Sequence, residues 1–171
     1  SLGGIVSNSS IRTAGDELTA DIQEYMARKH NVKVSERMAE RIKIHVGSAL
    51  TDLGDEAPED YTIHGPDRIT ALPLEVKVSY KEIAECIDKT IAKIENAVLT
   101  ALENTPPELY ADIVTNGIWL TGGGAMLLGL SKRLEDKFKI PFHIADDPLH
   151  SVAKGAGIAL KNVDRFSFLM R

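Results

Sequence analysis

The residues with the clearest chemical potential are Thr121-Gly122-Gly123-Gly124-Ala125. They stand between a short apolar run and an amphipathic one. Three glycines there let a backbone approach a ligand closely, because no Cβ intervenes. The N–H groups opening a following helix favour an anion or a polar ring edge. The run lacks the spacing of a dinucleotide-binding loop, since position 127 is Leu where a third Gly would stand. It also lacks the Gly-Lys-Ser/Thr of a phosphate-binding P-loop. A tight strand-to-helix turn would use the same residues. A second candidate is Glu40-Arg41-Ile42-Lys43. Glu40 and Lys43 are three apart and share a helix face, where a carboxylate beside an ammonium could grip ribose hydroxyls and an adenine edge. An ordinary surface ion pair would look the same.

Other reactive residue types carry less. The histidines at 30, 45, 64, 143 and 150 are scattered, with none at a metal-ligand spacing to Cys or carboxylates. Asp146-Asp147-Pro148 has the form of a turn that caps a helix. No Ser/His/Asp or Cys/His pattern is legible. Cys86, the single cysteine, follows Ile83 on an apolar stripe and reads as a small core residue.

These candidates need elements to position them. Ser1-Leu2-Gly3-Gly4-Ile5-Val6 suggests the end of one strand, a Gly-Gly turn, and a second strand to about Arg12. Asp16 opens a helix whose face carries Leu18, Ile22, Tyr25 and Met26, ended by Asn31. A second helix starts near Ser35 with Met38, Ile42 and Val46 inside. Residues 51–60 form an acidic loop. Strands are predicted around 61–64 and 68–78 with Gly65-Pro66-Asp67 as their turn, and Pro73 interrupts the second or places it on an edge. Ser79-Tyr80-Lys81-Glu82 is a capping box before a long helix to about Asn104, with the stripe Ile83, Ile87, Ile91, Ile94, Val98, Leu102. Pro106-Pro107 ends it and seeds a short helix, which Asn116-Gly117 stops. Then come a strand at 118–121, a helix from about Met126 to Phe138, a strand at 141–145, and a helix from Ser151 to about Asn162. That alternation predicts a parallel α/β arrangement. The predicted division is an α/β body of residues 1–34 and 105–171 with an inserted α+β piece at 35–104.

Composition limits the function classes. The chain has 171 residues, 43% hydrophobic and 26% charged, which suits one domain, or one with a small insertion. With 5% aromatics, the core must rest on aliphatic side chains. The net charge of -5 and the absence of a basic patch argue against nucleic-acid binding, while a mononucleotide needs only backbone N–H groups and one or two cations. A single cysteine permits no internal disulfide and fits a reducing cytosol. No apolar run is long enough to span a bilayer.

Taken in order, several segments resemble the C-terminal half of the MreB-type bacterial actins, including the Mbl paralogues. They are Ser1-Leu2-Gly3-Gly4-Ile5-Val6, Ala14-Gly15-Asp16, Ala39-Glu40-Arg41-Ile42-Lys43, Thr105-Pro106-Pro107-Glu108-Leu109, Leu120-Thr121-Gly122-Gly123-Gly124-Ala125, and Asp147-Pro148 with Val152-Ala153-Lys154-Gly155-Ala156-Gly157. The resemblance implies an actin-like fold, an RNase H-like subdomain carrying a smaller inserted α+β subdomain. It implies that Gly122, Gly123, Gly124 and Ala125 contact the adenosine of ATP or ADP. It also implies that the Glu40-Arg41-Ile42-Lys43 segment lies on ribose and base through Glu40 and Lys43. One phosphate loop would precede the Gly3-Gly4 hairpin, and the other, with the acidic residues that handle water and magnesium, would lie in the half not present here. Hydrolysis is therefore expected of a full-length parent and not of this chain. The family further implies self-association into protofilaments, membrane-associated cell-elongation partners, and a cytoplasmic location at the inner face of the membrane. A docking module for such partners is one alternative. An actin-fold chaperone ATPase, which carries a peptide-binding domain after its ATPase part, is another. The tail Arg165-Phe166-Ser167-Phe168-Leu169-Met170-Arg171 is expected to pack on the body or on a neighbouring subunit.

Overall fold

Helix α1 (Gly15–Lys29) forms because Leu18, Ile22 and Met26 recur every four residues and bury one face, while Asp16 and Glu17 in its first turn and Arg28 and Lys29 in its last suit the helix dipole. The structure, a computed structural model, describes residues 5–13 and 15–163. Asn31, at φ +53°, turns the chain out of α1. Ser35 then caps α2 (Glu36–Val46), its Oγ accepting the Met38 N–H at 3.3 Å, with Ala39, Ile42 and Val46 facing inward.

The antiparallel hairpin of β1 (Tyr61–Pro66) and β2 (Pro73–Val78) pairs Ile63 with Val76 and Pro66 with Pro73. Its turn corrects the expectation. Pairing runs through Gly65 and Pro66, and the chain reverses over residues 67–72. The Asp67 carboxylate sets this, accepting the N–H groups of Ile69 (2.9 Å) and Thr70 (2.8 Å) and the Thr70 hydroxyl (3.0 Å). Arg68–Leu72 therefore belong to the turn, and Pro73 takes the first position of its strand, where a missing N–H is tolerated.

Helix α3 (Tyr80–Glu103) buries Ile83, Ile87, Ile91 and Leu102, with Ile94 and Val98 half-buried. Half of the predicted capping box forms. Ser79 Oγ accepts the Glu82 N–H at 3.4 Å, but the Glu82 carboxylate turns to His30 Nε2 at 2.9 Å, tying the start of α3 to the end of α1. Helix α4 (Pro107–Asn116) begins on its proline and ends at Gly117, φ +75°.

Strands β3 (Ile118–Leu120) and β4 (Phe142–Ile144) pair in parallel, Ile118 with Phe142 and Leu120 with Ile144, as the alternation predicted. Helix α5 (Leu130–Phe138) lies between them in sequence. It starts later than expected, because a 3-10 turn takes Gly123–Met126 and Gly129, at φ +70°, breaks the path before Leu130. Helix α6 (Ser151–Lys161) follows and buries none of its residues.

Residues 5–13 carry no strand, contrary to expectation. They have no ladder partner among the described residues, and a strand without one leaves its backbone groups unpaired. The Gly3-Gly4 turn and the 165–171 tail lie outside the described residues. The predicted division groups α1 with the residues after 104. In the structure α1 shares its buried face with α2 and α3, and Asp21 accepts from Thr90 Oγ1 and, through its carbonyl, from Cys86 Sγ at 3.4 Å.

Candidate adenosine site

The four residues of the Glu40–Lys43 segment separate by role. Ile42 is 0% exposed in the core, so its side chain offers a ligand no surface. Arg41 lies exposed on the far face, and its carbonyl meets His45 Nδ1 at 2.7 Å. Glu40 and Lys43 point together, with Lys43 Nζ 2.6 Å from Glu40 Oε2. Lys43 Nζ also donates to the Gly15 carbonyl (2.9 Å) and to Thr19 Oγ1 (3.0 Å), and its side chain is only 14% exposed. An ammonium has three N–H donors, so all three are engaged within the chain. Thr19 has one proton, and the nearer acceptor is the charged Glu40 Oε2 at 2.7 Å. A Cβ at Gly15 would come within 3.2 Å of Lys43 Nζ, so glycine there leaves room for the ammonium. Burial pushes the Glu40 carboxyl up, but hydrogen bonds from Lys43 and Thr19 outweigh it and the net shift is downward. Glu40 is therefore an anion at neutral pH, able to accept from hydroxyls. Gly15 and Thr19 were missed by sequence reasoning, since only the packing of α1 on α2 brings them here.

The glycine turn is built differently. Gly122 has φ +83° and ψ 172°, a region essentially reserved to glycine. Its N–H and the Thr121 hydroxyl both donate to the Pro148 carbonyl, at 2.8 and 3.0 Å, which fastens the turn to the segment before α6. A Cβ built on Gly122 or Gly124 would meet nothing within 4 Å, and one on Gly123 would first meet Leu149 at 3.5 Å. Packing therefore does not demand three glycines, and the space before the turn is open. The N–H groups of Gly123 and Gly124 have no partner among the described residues. Ala125 is different, since its side chain is buried.

A short ladder joins the two candidates. The Gly47 N–H closes the last turn of α2 on the Lys43 carbonyl (2.9 Å), and the Gly47 carbonyl accepts the Leu128 N–H (3.3 Å). Ala49 N–H then donates to the Leu128 carbonyl (2.7 Å), making a parallel bridge at buried Ser48. The Lys43 end of α2 and the glycine turn thus flank one seam. A cleft of about 360 Å³ borders the seam at Ala49 and Arg133, and one of about 510 Å³ lies away from it, between α1 and α3. It holds Cys86, whose thiol burial pushes up to about 12, which fits an inert packing residue. Among the described residues no group of three His, Cys, Asp or Glu could hold a metal ion, and no helix is long and apolar enough to cross a membrane. Asp147 braces the start of α6, accepting from His150 Nδ1 (2.8 Å) and Lys154 Nζ (2.5 Å).

Comparison with known proteins bears directly on this geometry. The family model described as MreB/Mbl protein matches residues 1–167. The cell shape-determining protein Mbl of Bacillus cereus is 44% identical over 165 residues, 96% of this chain and 49% of that protein. The cell shape-determining protein MreB of Escherichia coli K12 is 40% identical over 96% of this chain and 46% of its own length. The chain thus spans about half the length of the curated relatives it matches. Among solved structures, MreB5 of Spiroplasma citri bound to AMPPNP aligns with TM-score 0.88 and 36% identity, over 95% of this chain and 48% of that one. The ADP-bound form aligns at 0.85 and 35%, over 91% and 46%. A MamK double helical filament, at 17% identity and TM-score 0.68 over 82% and 42%, shares the fold. With the family model matched over nearly every residue and the architecture shared with these structures, the chain belongs to the MreB/Mbl family of bacterial actins and has their actin-like α/β fold.

Proposed function

We propose that this chain supplies the adenosine-facing half of a filament-forming, ATP-dependent bacterial actin that organises cell-wall synthesis. The observation that carries it is the seam: Glu40 and Lys43 on one side and the open Gly122–Ala125 turn on the other, joined by the Gly47–Leu128 ladder. Solved relatives about 35% identical hold ADP and AMPPNP, which supports the same ligand class here. The fit is chemical. Glu40 accepts from ribose hydroxyls, Lys43 exchanges one internal acceptor for a ligand oxygen or ring nitrogen, and the free N–H groups of Gly123 and Gly124 meet an anion or a polar edge. The nucleotide, when bound, supplies the charge that magnesium and the phosphate loops handle, and those groups lie outside this chain in the proposal. This chain alone is therefore expected not to hydrolyse ATP.

The proposal includes two subdomains, RNase H-like and inserted α+β. In this proposal residues 1–34 and 105–171 form the first and residues 35–104 the second, with α1 packed on α2 and α3 across their border. It also includes head-to-tail self-association, which a filament requires, and work at the inner face of the membrane with membrane-associated elongation proteins. Calorimetric titration with ADP tests the nucleotide part. We expect binding, weakened about tenfold (~1.4 kcal/mol) by Lys43→Ala. Equal affinity in the variant would remove Lys43 from the site, and no binding by the full-length protein would overturn the proposal.

A further inference from the structure

An ion cluster centred on one buried carboxylate stands behind the seam. Arg133, at the end of the first turn of α5, donates from Nε to Glu95 Oε1 (2.6 Å) and from one terminal nitrogen to Asp88 Oδ1 (2.6 Å) and the Ala49 carbonyl (3.0 Å). The other Glu95 oxygen accepts from Lys137 at 2.5 Å. Glu95 is 4% exposed, inside the apolar stripe of α3. A carboxylate there is costly unless paired, and an apolar cluster of the same volume would hold the helices at least as well. Stability alone therefore does not account for it.

Its connections suggest a different role. Ala49 is held from two sides, its carbonyl by Arg133 and its N–H by the Leu128 carbonyl. Leu128 follows the glycine turn, and Gly47, on the same ladder, closes the α2 turn that begins at Lys43. A guanidinium is a rigid fork, so one side chain fixes α3, α5 and the end of α2 relative to each other. We infer that Arg133 and Glu95 are positioning residues that set the spacing between Lys43 and the glycine turn, and through it the affinity for nucleotide. The affinity part rests on the function proposed above. The Asp88 arm is solvent-exposed and contributes little to the hold.

The experiment compares Glu95→Gln and Arg133→Lys in the full chain with Val76→Ala in β2, a packing variant remote from the seam. Two readouts are taken: hydrogen exchange at the Ala49 and Leu128 amides, and ADP affinity. Arg133→Lys keeps the charge beside Glu95 but not the fork, so it tests positioning even if Glu95→Gln folds poorly. Both cluster variants are expected to speed exchange at these amides and to weaken ADP by about tenfold. Val76→Ala should lower the melting temperature and leave both readouts unchanged. Amides that stay protected in the cluster variants overturn the inference. So does unchanged ADP affinity once the amides are loosened, or an equal loss of affinity in Val76→Ala. If the unmutated chain binds no ADP, the proposed site fails at this chain, and the exchange data alone decide whether Arg133 and Glu95 hold the spacing.

Discussion

The first part of the molecule, from α1 through α3, and the part built on β3, β4 and α6 handle apolar residues in opposite ways. In the first, Ile22, Met26, Ile42, Ile63, Ile83, Ile87 and Ile91 are essentially excluded from water and belong to one cluster. In the second, Trp119 is 65% exposed, Val152 74% and Leu160 69%, and α6 buries nothing. The two-stranded β3–β4 sheet is held on one side by α5, through buried Phe142 and Leu134. A helix pair crossed by a third helix and closed by a hairpin covers its apolar faces, whereas two strands with one helix join the same cluster through Leu134 and Phe142 and leave a sheet face open. The seam proposed to face adenosine lies where these two regimes meet.

The comparison can be broken by truncation. Ile87→Ala should cost about 2–5 kcal/mol, and Ile144→Ala, at an exposed position of β4, no more than about 0.5 kcal/mol. Urea unfolding of both variants measures the difference, and similar losses would mean that the second region is covered in solution. Acid sharpens the contrast at a smaller scale. The carboxyls of Glu40 and Glu95 are held below their ordinary value, since hydrogen bonds from Lys43 and Thr19 and from Arg133 and Lys137 outweigh their burial. That of Asp67 is held down first by the Thr70 and Ile69 N–H groups. A carboxyl lowered in the folded state contributes stability above its unfolded pKa, about 4, and that contribution is lost as pH falls through the lower folded value. Melting temperature should hold steady from neutral pH to about 5 and fall below about 4, and Glu95→Gln should flatten that fall. The smallest effect is expected at Ala71, a non-glycine residue at φ +58° in the hairpin turn. Ala71→Gly removes left-handed strain and adds unfolded-state entropy, for a net gain of about 0.5 kcal/mol or less.

Much of the architecture was legible because its causes are local. The stripes on α1 and α3, the start of α2 near Ser35, the Ser79 cap and the proline start of α4 follow from neighbours in sequence, and the strand-helix alternation carried the parallel pairing of β3 with β4. The hairpin turn was misplaced because Gly65-Pro66-Asp67 looks like a turn until Asp67 is seen collecting the N–H groups beyond it. The start of α5 was misplaced because Gly129 was not weighed as a break. The candidate site was half legible as a proposal. Glu40, Lys43 and the glycines could be named, but their joining depends on the Ser48–Leu128 bridge, and Lys43's partners Gly15 and Thr19 sit on another helix. Glu95 did leave a signal: a carboxylate one turn beyond Ile91 on a buried stripe demands cations.

If the proposed function holds, the saturated ammonium of Lys43 also has a consequence for ligand exchange. With three internal acceptors already in place, the empty site holds no uncompensated charge and has no reason to collapse. Under the proposed function, an arriving ligand would substitute for one acceptor, and the number of bonds made by Lys43 would stay constant. Discrimination then comes from how well an incoming atom replaces a carbonyl or hydroxyl oxygen in position and charge. In the proposed site, release would restore the same satisfied arrangement.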